Sequence, residues 1–100
     1  MGFFRMHVGS LKVRLRVRES RSLKDKRQVV KSIVDRLKNQ FNVAVAEVDA
    51  RDHHQMVVLG IAAVGAEAVD VKTTLDRIAD ALRKHPIAEF CDCGSLIDRS

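Results

Sequence analysis

The sequence is poor in the residues that mark several common classes of protein. Its 100 residues include two Cys, one Pro, five Gly, four Phe and no Trp or Tyr. Two Cys separated by one residue cannot form the disulfides that stabilise a small secreted domain, so we expect reduced thiols and a cytoplasmic protein. The scarcity of Pro and Gly, with 46% hydrophobic and 31% charged residues, excludes a fibrous or disordered chain and indicates a single domain over residues 1–100.

Long apolar runs and recognisable catalytic motifs are also missing. The longest apolar stretch, 56–65, is far shorter than the roughly 20 residues of a membrane-spanning helix. No segment has the shape of a signal peptide. The sequence has no Gly-rich phosphate loop, no nucleophile elbow and no convincing pair of acids. We therefore expect no membrane association, no cofactor and no enzymatic activity.

Positive charge is concentrated in one part of the chain. Residues 1–41 hold 12 Lys and Arg against 3 acidic residues, a net charge of +9, whereas residues 42–100 hold 6 against 10, a net charge of −4. An excess of positive charge in one segment favours an anionic partner such as nucleic acid.

Hydrophobic periodicity divides the chain into six segments. Residues 7–18 alternate strictly between apolar and basic positions from Leu11 onwards, which predicts a half-buried strand. Ser22 can cap a helix whose apolar positions recur every three or four residues as far as Gln40. Two apolar strands follow at 43–48 and 55–64. A second helix is predicted at 67–84 and ends before Pro86. A last strand is predicted at 88–97, with an interruption at Gly94.

The order of these segments predicts a ferredoxin-like α+β fold. A chain with elements in the order strand, helix, strand, strand, helix, strand can form a four-stranded antiparallel sheet with two helices on one face. The third strand carries no charge, so we expect it at the centre of the sheet. The face without helices, here called the open face, is left for water, nucleic acid or another subunit.

Several stretches resemble the YlxP-like family of small bacterial proteins of unknown function. They are SLKDKR at 22–27, VKS at 30–32, FNVAVAEVD at 41–49 and LGIA at 59–62, and the likeness extends from about residue 6 to residue 93. The resemblance implies a ferredoxin-like fold and a gene that often lies beside translation-initiation and ribosome-maturation genes, but no established activity. His54 stands where the family usually has an aromatic residue, and Gly94-Ser95 interrupts the last strand.

A first candidate site is a row of basic side chains on the first strand. They are two residues apart and so lie on one face, about 6.6 Å from each other. We interpret this basic ridge as a contact for the phosphate backbone of RNA. The alternative is a solvated face whose charges pair with acids across the sheet, for which Glu47, Glu89 or Asp92 can serve. The ridge comprises Lys12, Arg14, Arg16 and Arg18.

A second candidate is the start of the first helix, where Lys24, Lys26 and Arg27 lie at the positive end of the helix dipole. This placement costs roughly 0.3–1 kcal/mol per charge unless an anion is bound, and such helix ends bind phosphate readily. Lys31 continues the basic stripe along the helix. Lys26 projects from the middle of the apolar arc. We expect its stem on the rim of the sheet, with the ammonium either in water or positioned as an anion contact.

A third set contains residues that could bind a metal or act as nucleophiles. Alternation along a strand would place Cys91 and Cys93 on one face, where a His could complete a zinc site. No recognised ligand spacing is present, so we predict no metal site and expect two small buried thiols. An extended backbone would point His53 and His54 apart. The other members of the set are Asp49, Asp52 and His85.

Together these features favour a non-catalytic factor associated with RNA or with a ribosomal particle. None of the four Phe lies on the two central strands, so recognition of structured RNA would depend on charge and shape. The alternative is a small homodimeric structural or interaction protein. Whichever alternate set of residues 56–63 faces the helices, the other set leaves an apolar row on the open face, and such rows usually meet a partner.

Overall fold

A computed structural model describes residues 6–98, which form six elements in the predicted order. The elements are β1 (His7–Arg16), α1 (Leu23–Gln40), β2 (Ala44–Asp49), β3 (Met56–Gly65), α2 (Ala68–Arg83) and β4 (Glu89–Asp98). Every boundary lies within two residues of its predicted position. No helix among the described residues is long and apolar enough to cross a membrane.

The four strands form one antiparallel sheet in the order β2-β3-β1-β4. This order, with two helices connecting the strands, confirms the ferredoxin-like α+β fold. The charge-free β3 lies between β2 and β1, as expected for a central strand. β1 is the other central strand, so Lys12, Arg14 and Arg16 of the basic ridge lie in the middle of the sheet. Arg18 was predicted on the same strand but lies in the turn that follows it, because β1 ends at Arg16.

The core lies between the sheet and the two helices. Leu11, Val13 and Leu15 of β1 are buried there, whereas the intervening Lys12 and Arg14 point to the open face and are exposed. The apolar sides of both helices complete the core, with Val30, Ile33 and Leu37 from α1 and Val71, Leu75 and Ile78 from α2.

The start of α1 has the predicted cap. The Ser22 hydroxyl accepts a hydrogen bond from the backbone N–H of Asp25 at 3.1 Å. The Asp25 carboxylate in turn accepts from the backbone N–H of Arg21 at 3.1 Å. This reciprocal pair satisfies two backbone donors and sets where the helix begins.

The last strand differs from the prediction. Gly94 does not interrupt β4, because Gly94 pairs with Lys12 and Ser95 pairs with Leu11 in an unbroken register. The irregularity is a bulge at Cys91, where the register with β1 shifts between Arg14 and Leu15. A strand with ladder partners along its length tolerates a Gly, whose cost is only local.

Candidate nucleic-acid interface

The basic ridge is on the open face, but two of its four members have acidic partners. The Arg14 guanidinium binds both carboxylate oxygens of Asp92, and the Arg18 guanidinium binds both oxygens of Glu89. These hydrogen bonds raise the pKa values of Arg14 and Arg18, and the bond from Arg18 lowers the pKa of Glu89. The alternative interpretation, in which the ridge charges pair with acids across the sheet, therefore describes Arg14 and Arg18.

The other two ridge residues lie beside small or half-buried neighbours. Lys12 is exposed between Gly60 on β3 and Gly94 on β4. Arg16 is half-buried and pairs in register with Met56 and Glu89. Within residues 6–98, neither side chain forms an ion pair.

Lys26 differs from both expectations for its ammonium, because its side chain is 0% exposed. Its Nζ donates to the backbone carbonyl oxygens of Ala50, Arg51 and Met56 at 2.9, 3.2 and 3.2 Å. The same atom lies 2.8 Å from Oε2 of Glu47, which is the counter-ion. An ammonium has three hydrogens, and the three carbonyls use them. The ammonium neither reaches water nor is available to an external anion.

The turn between β2 and β3 is built around this ammonium. Ala50 adopts a positive φ of 53°, a left-handed conformation that is costly for a residue with a side chain. Its backbone N–H donates to the Asp49 carboxylate at 2.7 Å, and its carbonyl accepts from the backbone N–H of His53 at 3.0 Å.

The sequence contains a signal for the Lys26–Glu47 ion pair. Lys26 lies in the apolar arc of α1, and Glu47 lies on the same helix-facing side of β2 as Val45.

The remaining cations at the start of α1 are exposed. Lys24 and Arg27 are at the surface, and within residues 6–98 neither forms an ion pair. Lys31 is exposed as well and contacts Asp35, one turn further on, at 2.8 Å. Arg51, which the sequence analysis did not select, lines a small pit of about 340 Å³ with Arg27, Glu47 and Asp52. We call Lys24, Arg27, Lys31 and Arg51 the α1 surface.

His53 caps backbone donors in the turn between β2 and β3. His53 Nδ1 accepts from the N–H groups of Gln55 and Met56 at 3.1 and 3.0 Å. Its ring stacks on His54, with centroids 5.6 Å apart and planes at 9°, so the two side chains do not point apart as they would on an extended backbone. The reason is that residues 50–55 form a turn and are not extended.

His85 has the same role after α2. Its Nδ1 accepts from the N–H groups of Ile87 and Ala88 at 3.2 and 3.0 Å. Burial, with a smaller contribution from the charge of Arg36, lowers the pKa of His85. A neutral imidazole fits this geometry, because Nδ1 must keep its lone pair to accept.

The two thiols are exposed, which contradicts the expectation that they are buried. Cys91 is the extra residue of the β4 bulge, so the alternation that would place both thiols on one face is interrupted. Cys93 lies on the helix-facing side, with its Sγ 3.8 Å from the Arg83 guanidinium. Among the described residues, no group of three or more His, Cys, Asp or Glu side chains is placed to hold a metal.

The fold and this charge distribution define a small ferredoxin-like domain with a basic first helix and an open sheet face. Residues 8–94 match the family described as protein of unknown function (DUF503), and the chain belongs to that family. The chain is 38% identical over 68 residues to the "Uncharacterized protein YlxP" of Bacillus subtilis (strain 168), a match that covers 68% of this chain and 74% of the relative. The resemblance inferred from the sequence is thereby confirmed.

A solved structure supports the fold independently. The de novo designed protein Foldit4 superimposes with a TM-score of 0.55 over 95% of this chain and 98% of its own, at 15% sequence identity. A likeness at this identity concerns the fold alone.

Proposed function

We propose that the protein is a non-catalytic cytoplasmic factor that binds structured RNA, alone or within a ribosomal particle, in ribosome maturation or translation. The observation that carries the proposal is the α1 surface. Lys24, Arg27 and Lys31 follow one another at three- and four-residue spacing and so lie along one side of α1. The rise of a helix places the first and last of them about 10 Å apart along its axis.

The electrostatics of the helix favour an anion at this place. Lys24 and Arg27 lie in the first turns of α1, where the helix dipole is positive, so they repel the helix end and each other unless an anion is present. A phosphate removes that repulsion and can also use the backbone dipole. Within residues 6–98, two of the four cations of the basic ridge are paired with Asp92 and Glu89, whereas on the α1 surface Lys31 alone has an acidic partner, Asp35. The α1 surface therefore keeps more unpaired positive charge for a polyanion.

Recognition of this kind reads charge and shape more than base sequence. Within residues 6–98, the aromatic rings of Phe41 and Phe90 pack against the core, so they do not form a platform for stacked bases. Contacts from Lys and Arg to phosphates position a protein on a helix without identifying the bases. The gene setting that the family resemblance implies, beside translation genes, is consistent with a ribosomal RNA helix as the target.

The test compares two double variants that remove the same charge. Lys24→Gln with Arg27→Gln alters the α1 surface, whereas Arg14→Gln with Arg18→Gln alters the acid-paired half of the ridge. Binding to an RNA hairpin is measured over a range of salt concentrations, together with co-sedimentation with ribosomal particles. We expect the first variant to lose affinity and to flatten the dependence of log K on log salt by about two units, roughly one per lost phosphate contact.

The ridge variant is the matched control and should change both quantities much less. Unchanged RNA affinity and co-sedimentation in the Lys24→Gln, Arg27→Gln variant would contradict the proposal. An equal or larger loss in the ridge variant would contradict the assignment to α1.

A further inference from the structure

The open face of the sheet has an apolar centre made of small residues. Over it lies a shallow hollow of about 770 Å³. Val48, Val64 and Leu96 border the hollow or continue its surface, and their side chains are 51%, 60% and 72% exposed. Contiguous apolar surface of this kind usually meets a partner. The small residues lining the hollow on this face are Ser10, Ala44, Ala46, Gly60, Ala62 and Gly94.

The charges of this face do not favour a polyanion as the partner. The four cations of the basic ridge are balanced by four acidic residues that lie on or beside the same face, so the net charge of the open face is zero. A neutral surface offers RNA little electrostatic gain. Among residues 6–98, neither Phe41 nor Phe90 is placed to stack bases here. The acids are Asp49, Glu89, Asp92 and Asp98.

The face is instead complementary to a second copy of itself. Its register forms rows across the sheet: Lys12 lies in one row with Gly60 and Gly94, and Asp98 lies two rows away beside Val8. Within residues 6–98, neither Lys12 nor Asp98 forms an ion pair. A two-fold axis that crosses the strands near Ser10 exchanges these two rows. Lys12 of each copy then lies above the row that contains Asp98 of the other copy.

This complementarity matters because an unpaired ammonium in a dry interface is costly. A two-fold axis along the strands would instead bring the two Lys12 side chains together. The axis across the strands satisfies both Lys12–Asp98 pairs at once, as an isologous contact requires.

The size of the face limits the strength of the contact. A two-fold axis near Ser10 overlaps the two sheets over residues 7–13 of β1, and seven residues at about 3.3 Å across four strands at about 4.8 Å spacing give roughly 400 Å² of flat sheet. A standard stable interface buries about 800 Å² per partner. The overlapping area is therefore about half of the standard size, which is appropriate for a weak, reversible dimer.

We propose that two copies of this chain associate through their open faces, with Lys12 of each copy opposite Asp98 of the other. The two sheets then pack face to face at about 10 Å, with the helices on the outside. The small residues in the centre allow this close approach, and Val48 and Leu96 contribute apolar contact around them.

The first test uses sedimentation from about 1 to about 200 μM protein, a range suited to a weak interface. The wild-type chain should shift from 11.2 kDa towards about twice that mass. Leu96→Glu should remain a monomer. Val69→Glu is the matched control, because Val69 is 66% exposed on α2 and Leu96 is 72% exposed on the open face. Both changes are at exposed positions, and thermal unfolding verifies that each variant is folded.

The second test is a charge exchange. Lys12→Asp alone should raise the dimer dissociation constant at least tenfold, and combining it with Asp98→Lys should restore most of the affinity. A wild-type chain that stays monomeric at about 200 μM would overturn the proposal. A Leu96→Glu variant as dimeric as Val69→Glu, or a charge exchange without restoration, would also overturn it. So would loss of RNA binding in Leu96→Glu without any dimer in the wild type, because the face would then belong to RNA.

Discussion

At the scale of single residues, the fully buried Lys26 is the main departure from ordinary surface chemistry. Burying an ammonium costs free energy unless its charge and its hydrogen bonds are both satisfied. Here Glu47 supplies the charge, and the carbonyls of Ala50, Arg51 and Met56 supply the hydrogen bonds. The ammonium thus holds α1, the end of β2 and the turn before β3 in one arrangement. Its role is structural, and it lies beside the α1 surface without being part of it.

We predict that Lys26→Met lowers the free energy of unfolding by about 3–5 kcal/mol, because it leaves the half-buried Glu47 carboxylate and three carbonyls without their partner. Lys24→Met is the control. Lys24 is exposed two residues away, and its removal should change stability by no more than about 0.5 kcal/mol. Urea unfolding of the two variants measures the difference in their free energies of unfolding. Equal values would show that the Lys26 contacts do not stabilise the fold.

At the scale of elements, the approach of α2 to β1 depends on Gly9. A Cβ at this position would lie 2.5 Å from Val71 Cγ1 and 2.9 Å from Leu75 Cδ1, distances that real Cβ atoms do not tolerate. The helix therefore packs against the strand only because no side chain lies between them. At Gly94 of β4, by contrast, a Cβ would meet no atom within 4 Å.

Gly9→Ala should accordingly destabilise the fold by about 1–3 kcal/mol, the usual cost of overpacking a core. Gly94→Ala should be neutral or raise stability by up to about 1 kcal/mol, because Ala reduces the freedom of the unfolded chain. Both are measured by denaturant unfolding in solution dilute enough to keep the chain monomeric. A Gly9→Ala variant as stable as the Gly94→Ala variant would mean that α2 can move away from β1 at little cost.

The elements themselves were predictable because their periodicity is local. Strict alternation in β1 and the three- and four-residue repeat in α1 each reflect one buried side, and the Ser22 cap depends on residues three apart. The Cys91 bulge and the Lys26–Glu47 pair were not predicted, because both depend on which residues become neighbours across the sheet. The orientation of Arg14 and Arg18 was predictable, but whether acids neutralise them is decided by the register of β4.

At the scale of the whole molecule, the two proposed surfaces lie on different sides of the sheet. Lys24, Arg27 and Lys31 of the α1 surface belong to the helical layer, Arg51 lies in the turn between β2 and β3, and the open face is the opposite surface of the sheet. In a face-to-face dimer the layers follow in the order helix, sheet, sheet and helix. Each α1 surface is then on the outside, and the two point away from each other. The net charge of +5 is therefore distributed between a neutral face suited to self-association and a basic helix suited to an anion.

This arrangement predicts that dimer formation and RNA binding are independent for a short RNA. One hairpin can contact only one α1 surface, so the monomeric Leu96→Glu variant should bind it with wild-type affinity per chain and with the same salt dependence. The dimer should bind two hairpins without cooperativity, because no differential contact links the two sites. Fluorescence anisotropy below and above the dimer dissociation constant measures both quantities. A loss of RNA affinity of tenfold or more in Leu96→Glu, with Val69→Glu unchanged, would mean that the open face itself contacts RNA and that the neutral sum of its charges conceals a local attraction at Lys12 and Arg16.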